Sequence, residues 1–421
     1  MNNIKYIDMK KLLNNHFGFM LSLGIILTIA LFTSCNNDDD VSNTSGRAPV
    51  ITEVRMYAES PGDSIVSGAL PGDWIVVTGE NLKNAISISV YGVSVDFNHG
   101  LFSDTYAAIQ IPSVIPFPSI PEDQVNKIIY KTKTGSVVFP FSVVPGPPSI
   151  TSIPNENPAE GDVVTIYGTN LFLTNELLFG GTEITEFTET DSGTSISFVM
   201  PNNGISGPLS LTTESGTFST VFNVSNYQTD VLCNFDDVNT YAWGTGLSND
   251  SVEFPGNHGY FPVFDTPELA PGDGAWWGSG RSINTNSMQW VPEADLGLDV
   301  SQFALKFELN VPGEYNGTSI LILKDYNWDN YTLRYEPWKV SETETADFTT
   351  EGKWVTVTIP LTEFRKKAVG GMDGTGESAS TLTQLLGESG SGQMLIYTIN
   401  NGSGPTGFRG AIDNIRIVRI N

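Results

Sequence analysis

This 421-residue chain is poor in cysteine, histidine and basic side chains. Its two cysteines, Cys35 and Cys233, lie far apart in sequence and exclude a disulfide-stapled scaffold. Beyond the N-terminal segment only His99 and His258 remain, in different domains, which excludes a three-histidine metal centre and a histidine-based nucleophile triad. The G-x-S-x-G, H-E-x-x-H and phosphate-loop patterns are all missing. Only 21 Lys and Arg stand against 47 Asp and Glu, for a net charge of −26. That balance argues against nucleic acid, which is captured by basic patches that displace phosphate counterions. It argues equally against adsorption to anionic lipid by charge. What is abundant is glycine (42), proline (24) and aromatic side chains (23 Phe, 14 Tyr, 8 Trp). Frequent turn residues, much aromatic mass and few charges suit an extracellular all-β protein with a neutral partner.

Residues 1–34 read as an address. Lys5, Lys10 and Lys11 precede an apolar run from Phe17 to Phe32, and small residues, Thr33 and Ser34, stand before Cys35. The alternative is a membrane-spanning anchor, because such a run approaches the ~17–25 residues that a span needs. A cysteine behind a small residue resembles a bacterial lipobox, although Phe32 replaces the usual aliphatic residue. That resemblance implies lipidation of Cys35. The acidic stretch Asn36-Asn37-Asp38-Asp39-Asp40 resembles the surface-export signal of Bacteroidota-type lipoproteins. Residues 35–47 are polar, hence a flexible tether. Cys233, between Leu232 and Phe235, is expected to be a buried small hydrophobe.

The body opens with a repeat. Gly72-Asp73-Trp74-Ile75-Val76-Val77-Thr78-Gly79-Glu80-Asn81-Leu82 aligns with Gly161-Asp162-Val163-Val164-Thr165-Ile166-Tyr167-Gly168-Thr169-Asn170-Leu171 at an offset of 89. The same offset relates Thr105–Pro112 to Thr194–Pro201, and the first copy carries about ten extra residues around Tyr57–Ser67. Short β-branched runs punctuated by Gly, Asn and Pro predict two immunoglobulin-like sandwiches, over 48–145 and 146–226. The G-D-x-V-x-I-x-G-x-N-L pattern resembles the IPT/TIG domain. Gly79 and Gly168 are expected to supply a positive-φ turn. Such units usually act as spacers, and Pro145-Gly-Pro-Pro148 joins them as a stiff hinge.

Residues 228–421 differ: they hold seven of the eight tryptophans. Phe303, Leu305, Phe307 and Leu309 alternate with polar residues, as do Val355, Val357 and Ile359, giving each strand one buried face. Ile320–Leu323 and Met394–Ile399 read as fully buried strands, Thr381–Leu386 as one short helix. The last strand, Ala411–Ile420, is expected to return beside Val231–Phe235, closing a jelly roll. Asn234-Phe235-Asp236-Asp237 and Asp413-Asn414-Ile415-Arg416 resemble the first and last strands of β-jelly-roll carbohydrate-binding modules. Asp236, Asp237 and Asp413 are candidates for a structural calcium ion, and no other cofactor is expected. A neutral polysaccharide presents weakly apolar C–H faces and hydroxyl edges, so flat aromatic platforms rimmed by polar groups suit it. The candidate glycan-binding residues are Trp276, Trp277, Trp290, Tyr326, Trp328, Tyr331, Arg334 and Trp338. Trp276 and Trp277 are expected to divide between core and platform, because neighbours on an extended chain point oppositely. Trp243 and Trp354 are expected in the core, and the remaining rings are expected to form a bare, coplanar shelf. Acidic residues are plentiful, but none forms the E-x-D-x-x-E pattern of jelly-roll glucan hydrolases.

Together the lipobox, the repeats and the Y-T-L-R-Y-E-P-W segment at 331–338 resemble the surface glycan-binding lipoproteins of Bacteroidota polysaccharide-utilisation systems. The resemblance implies a non-catalytic role at the outer membrane: capture of a xyloglucan-, β-glucan- or β-mannan-class polysaccharide and delivery to a porin-type complex. The alternatives are a surface adhesin for a protein partner and a glycoside hydrolase.

Overall fold

An offset of 89 residues in the sequence becomes a shared strand order in space. The computed structural model describes residues 46–201, 206–226, 230–238, 241–256, 259–328, 330–400 and 402–420. The signal segment and Cys35 lie outside the described residues. In the first unit the strands Val50–Met56, Trp74–Glu80 and Tyr106–Gln110 form one sheet, and Val93–Ser94, Ala85–Val90, Lys127–Thr132 and Gly135–Pro140 form the other, in that order. The second unit repeats the plan. Its sheets are Ser149–Ser152, Val163–Thr169, Ser195–Val199, Phe187–Glu189 and Thr182–Glu183, Thr174–Phe179, Leu209–Thr213, Gly216–Ser219. Each pair of sheets closes over its own core, with Ile75, Val77 and Leu82 in the first and Val164, Ile166 and Leu171 in the second. Between the units, Phe117 stacks on Phe172 with centroids 5.3 Å apart.

The shared motif works differently from the expectation. Gly79 and Gly168 are not the positive-φ residues; Asn81 (φ 60°) and Asn170 (φ 56°) are. The glycines sit where a bulge brings the first strand against the second. A Cβ at Gly79 would meet the Val50 carbonyl oxygen at 1.8 Å, and one at Gly168 the Ser149 oxygen at 1.9 Å. The asparagines take the left-handed turn and donate through Nδ2 to Ala48 O and Pro147 O. One motif thus couples a close approach, a turn and a core leucine.

Residues from Val231 onward form a sandwich of two larger sheets. The back sheet runs Leu247–Ser248, Phe261–Leu269, Thr406–Arg419, Phe303–Asn310, Val355–Pro360. Val231–Cys233 also pairs with Thr406–Arg419, so the last strand returns beside the first as expected. The front sheet runs Tyr241–Gly244, Ser282–Thr285, Met394–Asn400, Thr318–Lys324, Thr332–Tyr335, Phe364–Arg365. The short helix is present at Leu382–Leu386, capped by the Thr381 side chain. Between the sheets lie Phe303, Leu305, Phe307 and Leu309 from the back, Ile320, Ile322, Leu333 and Ile396 from the front, and Cys233.

The polar face of Phe303–Asn310 is buried as well. Lys306, Glu308 and Asn310 alternate outward, yet all three are inaccessible: the second unit docks on the back sheet at Lys306, and Asn310 donates to the Gly352 carbonyl of the sandwich's own turn. Its loop delivers Glu156, which pairs with Lys306 and, at 2.9 Å, with Arg416; Arg416 also grips Glu308 at 2.9 Å. Thr356 accepts from the Glu156 N–H and donates to Glu308, and Phe222 lies over the Lys306 ammonium at 3.4 Å. Burial alone would lower the Arg416 pKa, but Glu308 and Glu156 hold it raised. Four charges taken from water together are tolerable only with this degree of mutual satisfaction.

Candidate functional site

Strand alternation gives the front sheet a second, outward face. Leu321, Leu323, Leu395 and Tyr397 project there, away from the sandwich core, and are nevertheless buried. What covers them is aromatic: Trp276, Tyr326 and Trp328 pack on this floor. The glycine-rich turn Gly274–Gly280 supplies Trp276 and Trp277, and the loop after strand Thr318–Lys324 supplies Tyr326 and Trp328. Trp276 is the hub. Its ring lies 5.7 Å from Trp243, 5.5 Å from Tyr326, 5.8 Å from Trp328 and 5.8 Å from Trp277.

The rings are pinned by hydrogen bonds as well as by packing. Tyr326 donates to Asn284 Oδ1 at 2.7 Å, Asn284 Nδ2 donates to the Trp243 carbonyl at 3.1 Å, and Trp328 Nε1 donates to the Tyr397 hydroxyl at 3.1 Å. Burial raises the pKa of Tyr326 and of Tyr397, so both stay hydroxyl donors. Charges on this face come in matched pairs. Arg281 bonds Asp273 at 2.9 Å, and Arg334 bonds Glu336 at 2.6 Å and Ser319 Oγ at 3.2 Å. The Asp273 carboxyl is held below its ordinary range by the Ala275 N–H and by Arg281. Beyond Arg334, the loop through Asp373 and Gly374 closes over Thr332, so the open part of the face is the Trp243–Trp277 side.

The structure sorts the candidates. Trp276, Trp277, Tyr326 and Trp328 meet on one face, with Arg334 at its far edge. Trp290 does not join them: it is 2% exposed, stands edge-on to Phe364 and donates from Nε1 to the Gly392 carbonyl. Tyr331 is a core residue, on the inward side of its strand with Leu333. Trp338 packs against the same core and donates to the Thr318 carbonyl at 2.7 Å. Trp354 is buried against Phe254 and Phe261, as expected. Trp243 is not in the core; it is 45% exposed. A bulge between Tyr241 and Trp243 leaves Tyr241 on the core and turns Trp243 out. Gly244, whose Cβ would strike the Ser282 carbonyl at 2.2 Å, was the available sign of that bulge. Nor is the shelf coplanar: neighbouring rings are inclined by 33–84°. Trp277, 70% exposed, stands edge-on to Trp276, and neither enters the sandwich core. Both sit in a turn, where the alternation of an extended chain does not apply.

Asp236, Asp237 and Asp413 do not gather as one carboxylate cluster. Among the described residues no group of three or more His, Cys, Asp or Glu could hold a metal ion. Asp236 accepts the Tyr260 N–H, Asp237 is bonded by Asn234, and Asp413 is buried, accepting from Asn414.

Residues 225–419 match the family model described as the surface glycan-binding protein B xyloglucan binding domain. The chain resembles the surface glycan-binding proteins. Residues 148–239, which take in the second repeat, match the IPT/TIG domain. The fold is similar to that of surface glycan-binding protein PbSGBP-B from Prevotella bryantii, with a TM-score of 0.65 and 19% identity over 88% of this chain and 98% of that one. SGBP-B from a complex xyloglucan utilization locus in Bacteroides uniformis aligns over 88% of this chain and 99% of that one, at 20% identity and a TM-score of 0.49. An IPT/TIG domain-containing protein of Bacteroides ovatus is 27% identical over 155 residues, which are 37% of this chain and 30% of that protein. The match therefore spans less than a third of that relative's length. No helix among the described residues is long and apolar enough to cross a membrane.

Proposed function

We propose that the chain is a non-catalytic, cell-surface polysaccharide-binding lipoprotein. It seats a neutral β-glycan on the outward face of the front sheet, across Trp243, Trp276, Trp277 and Trp328. The observation that carries this reading is the aromatic cluster itself. An indole 70% exposed on a pinned aromatic floor buries sugar C–H surface on binding, with few side-chain rotamers left to freeze. Paired rather than bare charges suit hydroxyl groups over anions. The match of residues 225–419 to a xyloglucan-binding family model supports the xyloglucan or β-glucan class. Lipidation at Cys35, anchoring in the outer membrane, the Ig-like units as spacers over 48–145 and 146–226, and delivery to a porin-type complex complete the reading.

Affinity electrophoresis of the full chain through xyloglucan, mixed-linkage glucan, laminarin and mannan tests it. Retardation by at least one of these, without release of reducing sugar, is expected. Retardation by none, or accumulation of reducing ends, contradicts it.

A further inference from the structure

The first Ig-like unit carries an exposed Tyr–Trp pair that its duplicate lacks. On the outward side of the sheet Val50–Met56, Trp74–Glu80, Tyr106–Gln110, the register places Arg55 beside Val76 and Ala108, and Glu53 beside Thr78 and Tyr106. Tyr57 follows the end of the first strand and donates its backbone N–H to the Trp74 carbonyl at 3.0 Å, level with Gln110. Trp74 is 41% exposed and Tyr57 59%, with ring centroids 6.0 Å apart. Trp74 is also the one tryptophan before residue 228.

The extra residues around Tyr57–Ser67 build the wall of this face. They fold back so that Met56 N–H donates to Ser64 O, Val66 N–H to Val54 O, and Arg55 Nε to Asp63 O. A cavity of about 670 Å³ results, lined by Arg55, Tyr57, Glu59, Asp63 and Val76 among others. The second unit serves as an internal control. At the position of Trp74 it has Val163, and its corresponding face, with Thr165 and Tyr167, lines a cleft against Trp354 of the C-terminal sandwich. The same sheet face opens on a cleft shared with the neighbouring sandwich in one copy, and in the other it carries a Trp–Tyr pair and a cavity walled by its own extra residues.

We propose that Tyr57 and Trp74, with Arg55, Glu53 and Gln110 as hydroxyl partners, form a second seat for a neutral polysaccharide chain. The proposal rests on the reading of the C-terminal face as a glycan seat. Carboxylates outnumber the single guanidinium around the cavity, which disfavours an anionic glycan. Two seats on one chain convert the second contact with a long polymer into an intramolecular one, raising apparent affinity without new contacts. A short oligosaccharide gains nothing from this.

The test compares xyloglucan with a short xylogluco-oligosaccharide on the full chain, by affinity electrophoresis and calorimetry. In Trp74→Ala and Tyr57→Ala, affinity for the polymer is expected to fall about tenfold or more, with oligosaccharide affinity and thermal transition unchanged. In Trp243→Ala/Trp277→Ala, oligosaccharide binding is expected to drop to the weak level of the second seat alone while weak polymer retardation persists, and adding Trp74→Ala should abolish both. Polymer affinity indifferent to Trp74 and Tyr57, or no retardation left in the double variant, overturns the second seat alone. A wild-type chain retarded by no polysaccharide overturns the C-terminal reading and this one with it.

Discussion

At the scale of single residues, the eight tryptophans divide by what lies on either side of each ring. Trp290 has Phe364 on one side, a backbone carbonyl at its nitrogen and no exposed face. Trp290→Ala is expected to destabilise the fold by about 3–5 kcal/mol, the usual range for emptying a large aromatic site, read as a lower denaturation midpoint. A midpoint within error of wild type contradicts the core assignment. The cluster of tryptophans was legible in composition; the direction of each ring was not. Tyr331, a candidate for the glycan face, lies in the core instead, and extended-chain alternation misread Trp276 and Trp277, which sit in a turn. The bulge beside Trp243 depends on strand pairing, which local periodicity does not encode. Asp413 offers a test through protonation. Its carboxyl is held well above the ordinary range, by burial first and then by Glu308 and Asp236. The folded chain keeps this proton where the unfolded chain has released it, so stability falls as pH rises from the ordinary carboxylate range toward the raised value. Asp413→Asn should flatten the dependence of thermal midpoint on pH above about 4; a slope equal to wild type contradicts it.

At the scale of elements, alternation in Phe303–Asn310 correctly gave one core face and misjudged the other. A strand with Lys306, Glu308 and Asn310 on its second face reads as half solvated, yet it is covered on both sides. The covering partner, Glu156, lies 150 residues earlier, beyond the reach of any local pattern. Conversely, Ile320–Leu323 read as buried on both faces, and so it is, beneath aromatic loops on the outer side. The doubled G-x-N-L motif was visible as a repeat. Its division of labour, with glycine for the close approach and asparagine for the left-handed turn, required the backbone.

At the scale of the molecule, the second Ig-like unit and the C-terminal sandwich are joined by Glu156, Lys306, Glu308 and Arg416 rather than by a free linker. Removing one partner leaves buried charge uncompensated, so Glu156→Ala is expected to destabilise the joint by about 3–5 kcal/mol. In calorimetry the transition should move down and split into two; one unshifted transition contradicts a coupled joint. A joint of this kind holds the front sheet in a fixed relation to the unit behind it, and the aromatic face of that sheet is turned to the opposite side of the sandwich. The most direct test of that face is the xyloglucan affinity of full-length Trp277→Ala, measured alongside its thermal midpoint. Binding weakened about tenfold or more at an unchanged midpoint is the predicted result, since the ring is exposed and its loss leaves no cavity. Wild-type affinity in a normally folded variant would place the glycan somewhere other than on the outward rings of the front sheet.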